Sequence, residues 1–388
     1  MSENEQPTTN NQQSSTTRCG TIALIGAPNA GKSTLSNRLV GAKVSIVTPK
    51  AQTTRSRVTA VCMEAGAQMV FLDVPGVFDA KQDFERAMVN AAWNGARGAD
   101  VIMFMQDARK KPDEETEAAL ARVLKLVGQG DEVGHGGEAG APLPRERQRG
   151  LASVSELSRS GEGGDPLSSD PARPHPEFSS RENSDLSQGR GKQAVPIGQN
   201  KPQKNLIIVL NKIDAVEDKK TLLLRAKWFS ERADNPALFM ISARKGDGVE
   251  ALKSLLATMM PEGPYLYDED ALTDMPMRLI ASELTREQCF LKLQEEIPYT
   301  LTVETEKYET KADGSAVINQ IIIVQNERQK TIVIGEGGQM LKAIGERARH
   351  EIGRMLGAKC HLYLFVKVRA DWKEKPEAYR YLGLEMGQ

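Results

Sequence analysis

The sequence predicts an α/β domain with a mostly parallel sheet and helices on both faces, followed by a smaller α+β domain. In the first 260 residues or so, compact apolar runs alternate with helix-like segments, which is typical of a parallel sheet covered by helices. From about residue 128 to 204 this alternation is interrupted by a stretch rich in Gly, Pro, Ser, Arg and Glu. After residue 276 the order changes to helix, two strands, two helices and a strand, so we expect a second domain of a different class.

Composition narrows the classes of protein to consider. The 388 residues are enough for two or three domains with separate cores. A net charge of −1 argues against a general polyanion binder, so any contact with nucleic acid must come from a local patch. No apolar run reaches the roughly 18 residues that a membrane-spanning helix needs. The cysteines have no paired spacing, which favours buried thiols in a reducing compartment over a zinc site or disulfides; they are Cys19, Cys62, Cys289 and Cys360.

The elements of the first domain follow from short apolar runs and helical periodicity. Residues 1–17 are polar and lack a signal or transit pattern, so we expect a disordered tail. The first strand is predicted at 21–25 and the first helix from Thr34 to Val40. Further strands are predicted at 69–72, 101–105, 206–210 and 238–241, and further helices at 84–96, 113–127, 220–232 and 249–260.

The remaining segments set the domain boundaries. We expect the first domain to span 18–261, with a disordered insertion at 128–204 where periodic apolar positions are almost absent. A tolerated surface insertion is favoured there over a regulatory loop. Residues 262–276, rich in Pro, Asp and Glu, are predicted to be a linker. In the second domain, at 277–388, helices are predicted at 277–295 and up to about 356, and strands at 300–308, 317–324 and 361–368.

A glycine-rich stretch between the first strand and the first helix predicts a phosphate-binding loop. It comprises Gly26, Ala27, Pro28, Asn29, Ala30, Gly31, Lys32 and Ser33, and Thr34 follows it. The glycines let backbone N–H groups close around phosphates, Lys32 can reach the outer phosphates, and the Ser33 hydroxyl can bind Mg²⁺. The alternative is a plain strand-to-helix turn.

Two further motifs extend this prediction to a γ-phosphate and its metal. Asp73-Val74-Pro75-Gly76 follows a buried strand, so Asp73 can hold Mg²⁺ through water and the Gly76 N–H can contact the γ-phosphate. Gln52-Thr53-Thr54-Arg55 can bring a hydroxyl to the metal when a γ-phosphate orders the loop. Each motif alone fits an ordinary turn, but their order after a phosphate-binding loop favours the functional interpretation.

Two motifs that follow later strands point to guanine. Asn211-Lys212-Ile213-Asp214 ends in a carboxylate that can accept hydrogen bonds from N1–H and the exocyclic amine of guanine, which adenine does not offer in that arrangement. Ser242-Ala243-Arg244 can donate backbone N–H groups to the guanine O6. The sequence therefore predicts a site for GTP and GDP.

These motifs and a turn in the second domain resemble the Era family, which belongs to the translation-factor-related GTPases. The turn is similar to the G-x-x-G of a KH module, whose backbone packs against the sugar–phosphate chain of single-stranded RNA. Its predicted RNA-binding residues are Ile334, Gly335, Glu336, Gly337, Gly338, Lys342 and Arg349. Taken singly, the basic residues also fit a solvated helix face. Residues 331–334 look β-like, but the KH pattern places a short helix there, and we expect the helix.

The resemblance implies a P-loop GTPase domain followed by a type II KH domain. It implies that Lys32, Thr54, Asp73 and Gly76 are catalytic and that Ser33, Thr54 and, through water, Asp73 hold Mg²⁺. It further implies a monomeric, cytoplasmic switch that binds the 3′ end of small-subunit ribosomal RNA and assists assembly of a 30S-type subunit, with peripheral contact to the inner face of the cell membrane left open.

Two positions in the predicted site bear on the rate of hydrolysis. Val77 stands where other GTPases have a glutamine that positions water, so we expect slow intrinsic hydrolysis. Asn29 resembles the position that binds K⁺ in related GTPases, which implies K⁺ as a second cation; the alternative is that Asn29 only shapes the turn.

Two other functions stay open at this point: a GTPase whose second domain docks on protein or membrane, and a module that holds GTP without useful turnover.

Overall fold

The structure is a computed structural model that describes residues 17–50, 53–77, 80, 82–128, 151–153, 205–234, 236–382 and 384. These residues belong to one compact unit. Most of the predicted tail and of the predicted insertion lie outside the described residues, as does Gln52 of the predicted metal-binding loop.

The first domain is built on one eight-stranded sheet. Its strands are β1 (Arg18–Gly26), β2 (Val58–Glu64), β3 (Ala67–Asp73), β4 (Val101–Asp107), β5 (Leu151–Ser153), β6 (Asn205–Asn211), β7 (Ala237–Ile241) and β8 (Ala271–Pro276), in the order β5-β8-β2-β3-β1-β4-β6-β7. The β3-β1-β4-β6-β7 part is parallel, and β2, β8 and β5 pair antiparallel. The predicted mostly parallel sheet is therefore confirmed.

Helices cover both faces of this sheet. They are α1 (Lys32–Val40), α2 (Asp83–Gly98), α3 (Glu114–Gly128), α4 (Lys219–Arg232) and α5 (Val249–Met259). In β1, Ile22 and Leu24 pack in the core with α1 and α5, whereas Ala23 and Ile25 pack on the opposite face with α2 and α3. Burial on both faces explains why the strand is a continuous apolar run instead of an alternating one.

The structure corrects the predicted linker at 262–276. Its last six residues form β8, which pairs with β2 through Ala60 and Thr273, and the Thr273 hydroxyl donates a hydrogen bond to the Thr59 carbonyl at 2.6 Å. The prediction was wrong here because the strand is short and contains Asp274 and Pro276, two residue types that are rare in strands. The chain thus completes the first sheet immediately before it enters the second domain.

The second domain contains the predicted elements in the predicted order, together with two short helices that were not predicted, one before the first strand and one after the last. It contains α6 (Met277–Lys292), the short α7 (Ile297–Thr300), β9 (Thr302–Thr310), β10 (Ala316–Val324), α8 (Glu327–Ile334), α9 (Gln339–Leu356), β11 (Cys360–Val368) and α10 (Pro376–Leu382). In its sheet, β10 lies between β11, which is parallel to it, and β9, which is antiparallel. The helix expected over 331–334 is confirmed: Asn326 caps α8 by accepting a hydrogen bond from the Gln329 N–H at 2.9 Å.

The two domains are packed together through aromatic side chains. Phe84 at the start of α2 makes edge contacts with Trp372 and Tyr379, with ring centroids 5.7 and 5.6 Å apart. These residues share a core cluster with Ile321 and Ile323 of β10. The helix that follows the Asp73 motif is therefore in direct contact with the second domain.

All four cysteines are buried and free, as predicted, and burial raises the pKa of the Cys62 and Cys289 thiols to about 12, so they are poor nucleophiles. None of the described helices is long and apolar enough to cross a membrane.

Candidate nucleotide site and RNA interface

The glycine-rich stretch forms a loop between β1 and the N-terminus of α1. The Lys32 ammonium lies inside it and donates to the carbonyl oxygens of Gly26 and Ala27, at 3.0 and 3.2 Å. Lys32 is only 6 % exposed, and burial lowers its pKa to about 8 while Asp73 acts in the opposite direction. This arrangement concentrates a buried positive charge and a helix N-terminus at one point, which is the chemistry of a phosphate site.

The three predicted metal ligands come together beside this loop. The Ser33 and Thr54 hydroxyl oxygens are 3.0 Å apart. Asp73 is fully buried, and its carboxylate oxygens have no partner at normal hydrogen-bond geometry among the described residues. Burial raises its pKa, whereas the nearby Ser33, Lys32 and Ser45 act to lower it. Hydroxyl and carboxylate oxygens are the hard ligands that Mg²⁺ prefers. The residues therefore fit Mg²⁺, which would also satisfy the unpartnered carboxylate.

Close backbone approaches explain two glycines of the predicted motifs. At Gly31, φ is +98° and a Cβ would lie 2.2 Å from the Asn211 amide nitrogen. At Gly76, a Cβ would lie 2.7 Å from the backbone nitrogen of Pro28. Both positions therefore require the absence of a side chain, and the second of them places Gly76 directly against Pro28 of the phosphate-binding loop.

At the base end, Asn211 connects three loops. It is 1 % exposed; its amide nitrogen donates to the Ala30 carbonyl at 2.9 Å, and its oxygen accepts from the N–H groups of Lys212 and Ala243 at 2.8 and 2.9 Å. Of the backbone N–H groups in Ser242-Ala243-Arg244 that were predicted to donate to guanine O6, that of Ala243 donates to Asn211 in the structure. The buried side chain of Asn211 thus links the phosphate-binding loop to the loops that contain Lys212 and Ala243.

The Asp214 carboxylate is aligned by its neighbours. The Ser242 hydroxyl donates to Asp214 Oδ1 at 2.7 Å and accepts from the Lys245 N–H at 3.1 Å. The Lys212 ammonium donates to Asp107 at 3.0 Å. Burial favours a higher pKa for Asp107, but hydrogen bonds from Arg109 and Lys212 outweigh it and lower that pKa to about 2. Hydrogen bonds to charged groups therefore fix the two motifs that were predicted to recognise the base.

Sequence reasoning missed several residues of this site. Arg38 of α1 donates to the carbonyls of Ala243 and Arg244, at 3.2 and 2.6 Å. Residues 46–48 line the cleft with the phosphate-binding loop, next to Thr53 and Thr54 of the predicted metal-binding loop. In the sequence Arg38 resembles a solvated helix residue, and residues 46–48 carry no motif. No local sequence pattern therefore identified these residues as part of the site. We call residues 46–50 and 53–55 the switch segment.

In the second domain, the G-x-x-G turn lies between α8 and α9. Glu336 and Gly337 are exposed, and a Cβ at Gly337, where φ is +57°, would meet nothing within 4 Å. Lys342 and Arg349 are both exposed on α9, about two helical turns apart and therefore on one face. Ile334, at the end of α8, is partly buried. The turn thus offers open backbone next to positive charge.

Comparison with known proteins matches both domains. Residues 21–129 match a family model described as a 50S ribosome-binding GTPase, and residues 296–373 match a KH domain. The chain is 40 % identical over 369 residues to GTPase Era of Bradyrhizobium diazoefficiens, covering 95 % of each protein. It is 40 % identical over 371 residues to GTPase Era of Caulobacter vibrioides, covering 96 % of this chain and 98 % of the relative. The chain belongs to the Era GTPase family.

Solved Era structures agree with this membership. One, of Era with MgGDPNP and nucleotides 1506–1542 of 16S ribosomal RNA, is 31 % identical with a TM-score of 0.71 and covers 95 % of this chain and 99 % of its own. Another, an Aquifex aeolicus Era variant bound to GDP·AlF₄⁻, is 31 % identical with a TM-score of 0.72, covering 94 % and 99 %. The predicted P-loop GTPase domain followed by a KH domain is confirmed.

Proposed function

We propose that this Era-family GTPase binds GTP with Mg²⁺, hydrolyses it, and uses its KH domain to hold the 3′ end of small-subunit ribosomal RNA while the 30S-type subunit is assembled. The observation that carries the nucleotide half is the convergence of the Ser33 and Thr54 hydroxyls beside the unpartnered, buried Asp73 carboxylate. The RNA half is supported by the Era structure solved with 16S ribosomal RNA and by the open G-x-x-G turn of this chain.

Hydrolysis at this site depends on positioning and charge, because phosphoryl transfer needs little covalent help. When bound, Mg²⁺ supplies positive charge to the phosphate oxygens. Lys32 gives up its hydrogen bonds to loop carbonyls in favour of the phosphates, and the Gly76 N–H contacts the γ-phosphate. Val77 packs with the apolar core of the sheet and has no polar group, so backbone groups orient the attacking water and intrinsic hydrolysis is slow.

Phosphate release from GTP, with Mg²⁺ and with EDTA, tests the enzymatic part. We expect slow release that requires Mg²⁺ and falls at least about tenfold in Thr54→Val, which removes a metal ligand but keeps the side-chain shape. Thr302→Val is a matched control, because Thr302 is a buried threonine of the second domain. Tight GTP binding without any phosphate release would instead favour a module that holds GTP without turnover.

Potassium as a second cation is part of the proposal. Asn29 has a φ of +63°, and its side-chain NH₂ group donates a hydrogen bond to the Pro49 carbonyl oxygen of the switch segment at 3.2 Å. A cation is ligated by oxygen, so K⁺ would be held by the amide oxygen of Asn29. We expect hydrolysis to rise when Na⁺ is replaced by K⁺, and the rise to vanish in Asn29→Ala. Equal rates in the two salts would contradict this part.

RNA binding is tested with an RNA that spans 16S nucleotides 1506–1542, the fragment in the solved Era complex. Gly337→Asp places a carboxylate in open space where a phosphate would pack, so we expect about a tenfold or greater loss of affinity. Gly314→Asp is the control, since Gly314 has a φ of +78° and equally open surroundings in the β9–β10 turn. Unchanged affinity in Gly337→Asp would favour docking of this domain on protein or membrane.

A further inference from the structure

Two buried arginines join the switch segment to the second domain. Arg55 is 3 % exposed and Arg286 of α6 is 1 % exposed. Arg55 donates to the carbonyl oxygens of Tyr299 and Leu301, at 2.9 and 2.6 Å. In the opposite direction, Arg286 donates to the Thr53 carbonyl oxygen at 2.6 Å. Each domain therefore inserts one guanidinium into the other.

The hydrogen bond from Arg286 acts on the residue next to a metal ligand. The Thr53 carbonyl oxygen, the Thr54 nitrogen and the Thr54 Cα all lie in one planar peptide group. A hydrogen bond that holds this oxygen therefore also holds the Cα that carries the Thr54 side chain. The Thr54 hydroxyl lies 3.0 Å from Ser33. We propose that Arg286, supported by Arg55, is a positioning residue that holds Thr54 at the Mg²⁺–GTP site, so that the second domain completes the nucleotide site. This inference rests on the proposed function.

The electrostatics of this pair show that the arrangement depends on domain docking. Arg55 and Arg286 are close to one carboxylate, Glu283, which pairs with Arg286. One nitrogen of Arg286 is buried without a hydrogen-bond partner among the described residues. A cluster with more positive than negative charge is costly to bury, so it persists only while both domains supply its partners.

Aromatic rings compensate part of this cost. The Arg55 guanidinium lies 5.9 Å from the ring centroid of Phe290 and 5.7 Å from that of Trp372, and Arg286 lies 5.4 Å from Phe290. Cation–π contacts of this kind stabilise a desolvated guanidinium. Because Phe290 and Trp372 also belong to the second domain, displacement of that domain would remove the carbonyl acceptors and the ring contacts of Arg55 together and release the switch segment.

The test compares nucleotide affinities of the full chain. Fluorescent GDP and a non-hydrolysable GTP analogue are titrated, with Mg²⁺ and with EDTA, into the wild type, Arg286→Met, Arg286→Lys and Arg278→Met. Arg278 is a control on the same helix: its side chain is exposed and, within the described part of the chain, donates to the Thr305 carbonyl of its own domain. Arg286→Lys keeps the buried charge but not the planar fork, and so provides a variant that folds if the methionine variant does not.

We expect Arg286→Met to weaken binding of the GTP analogue with Mg²⁺ about tenfold, the effect of one lost charge-assisted hydrogen bond. GDP affinity, and affinity for the analogue in EDTA, should stay within about twofold of the wild type, and Arg286→Lys should lie between wild type and Arg286→Met. An unchanged analogue affinity in both variants, or an equal loss for GDP and the analogue, would overturn the inference. Failure of the wild type to bind either nucleotide would instead overturn the proposed function.

Discussion

Replacing Asp214 with Asn should change the preferred base from guanine to xanthine, and the structure explains the direction. The Ser242 hydroxyl accepts from the Lys245 N–H and therefore has its proton available to donate to Asp214 Oδ1. In the Asp214→Asn variant this donor selects the amide oxygen as its partner, so the amide NH₂ group faces the base. That group repels the N–H donors of guanine but can donate to the additional carbonyl of xanthine.

The size of the effect follows from the bonds that are lost. A hydrogen bond to a charged group contributes about 1.5–3 kcal/mol, so loss of two such bonds corresponds to about 3–6 kcal/mol, or roughly 10²- to 10⁴-fold in affinity. Because Asp214 is partly exposed, we expect the lower part of this range, about 10²- to 10³-fold. Displacement of a fluorescent GDP by unlabelled GDP and by XDP measures both affinities.

A matched variant separates base recognition from a general loss of charge. Asp218 caps α4 by accepting from the Lys220 N–H at 2.9 Å, and Asn is an equally good capping residue, so Asp218→Asn should keep both affinities. If Asp214→Asn keeps its affinity for GDP, or loses GDP without gaining XDP, then the side chain is not oriented as the Ser242 contact requires, and the reasoning fails.

Three further predictions test other parts of the molecule. Bound phosphates should raise the pKa of Lys32 from about 8 in the free protein. GDP binding should therefore take up about half a proton at pH 8, more at pH 9 and less at pH 7. Calorimetric heats of GDP binding at pH 8 that do not depend on the buffer would contradict this. Gly31→Ala should abolish nucleotide binding because its Cβ would displace Asn211. Gly66→Ala is the control, since Gly66 has a φ of +75° and open surroundings. This control should keep nucleotide binding and lower the free energy of unfolding by only about 1–2 kcal/mol, the cost of a left-handed backbone conformation. Phe84→Ala should reduce that free energy by about 3–5 kcal/mol, as for other buried aromatics, in a denaturant titration; a reduction below about 1 kcal/mol would show that its ring contacts do not stabilise the domain packing.

The segments that could be predicted share a physical property: their signals are local. The P-loop comes from glycines and a lysine within eight consecutive positions, and continuous apolar runs indicate strands buried on both faces. Elements whose local signal was weak or contradictory could not be predicted from their own residues alone. The strand β8 contains Asp274 and ends at Pro276, and its identity depends on pairing with β2. The helix α8 contains β-branched residues and was predicted from the KH resemblance, not from its own propensity.

Contacts between distant parts of the chain account for what sequence reasoning missed in the candidate site. Arg55 was noted only as part of a threonine-rich stretch, yet it is buried because carbonyl groups about 245 positions away accept its hydrogen bonds. The Ala243 N–H fits guanine by spacing, but Asn211 already accepts its hydrogen bond. Neither fact is encoded in a short window of residues, since each depends on which loops the sheet brings together.

The sequence by itself determined the class of fold, the guanine-nucleotide motifs and the G-x-x-G turn, because backbone geometry and phosphate chemistry restrict which residues can stand at closely spaced positions. Only the tertiary structure decided that the hydroxyls of Ser33 and Thr54 meet beside a buried, unpartnered Asp73, and that Arg286 of the second domain reaches the switch segment. Burial of a charge and the alignment of hydrogen-bond partners depend on distances between remote residues, and the packing of the two domains sets those distances.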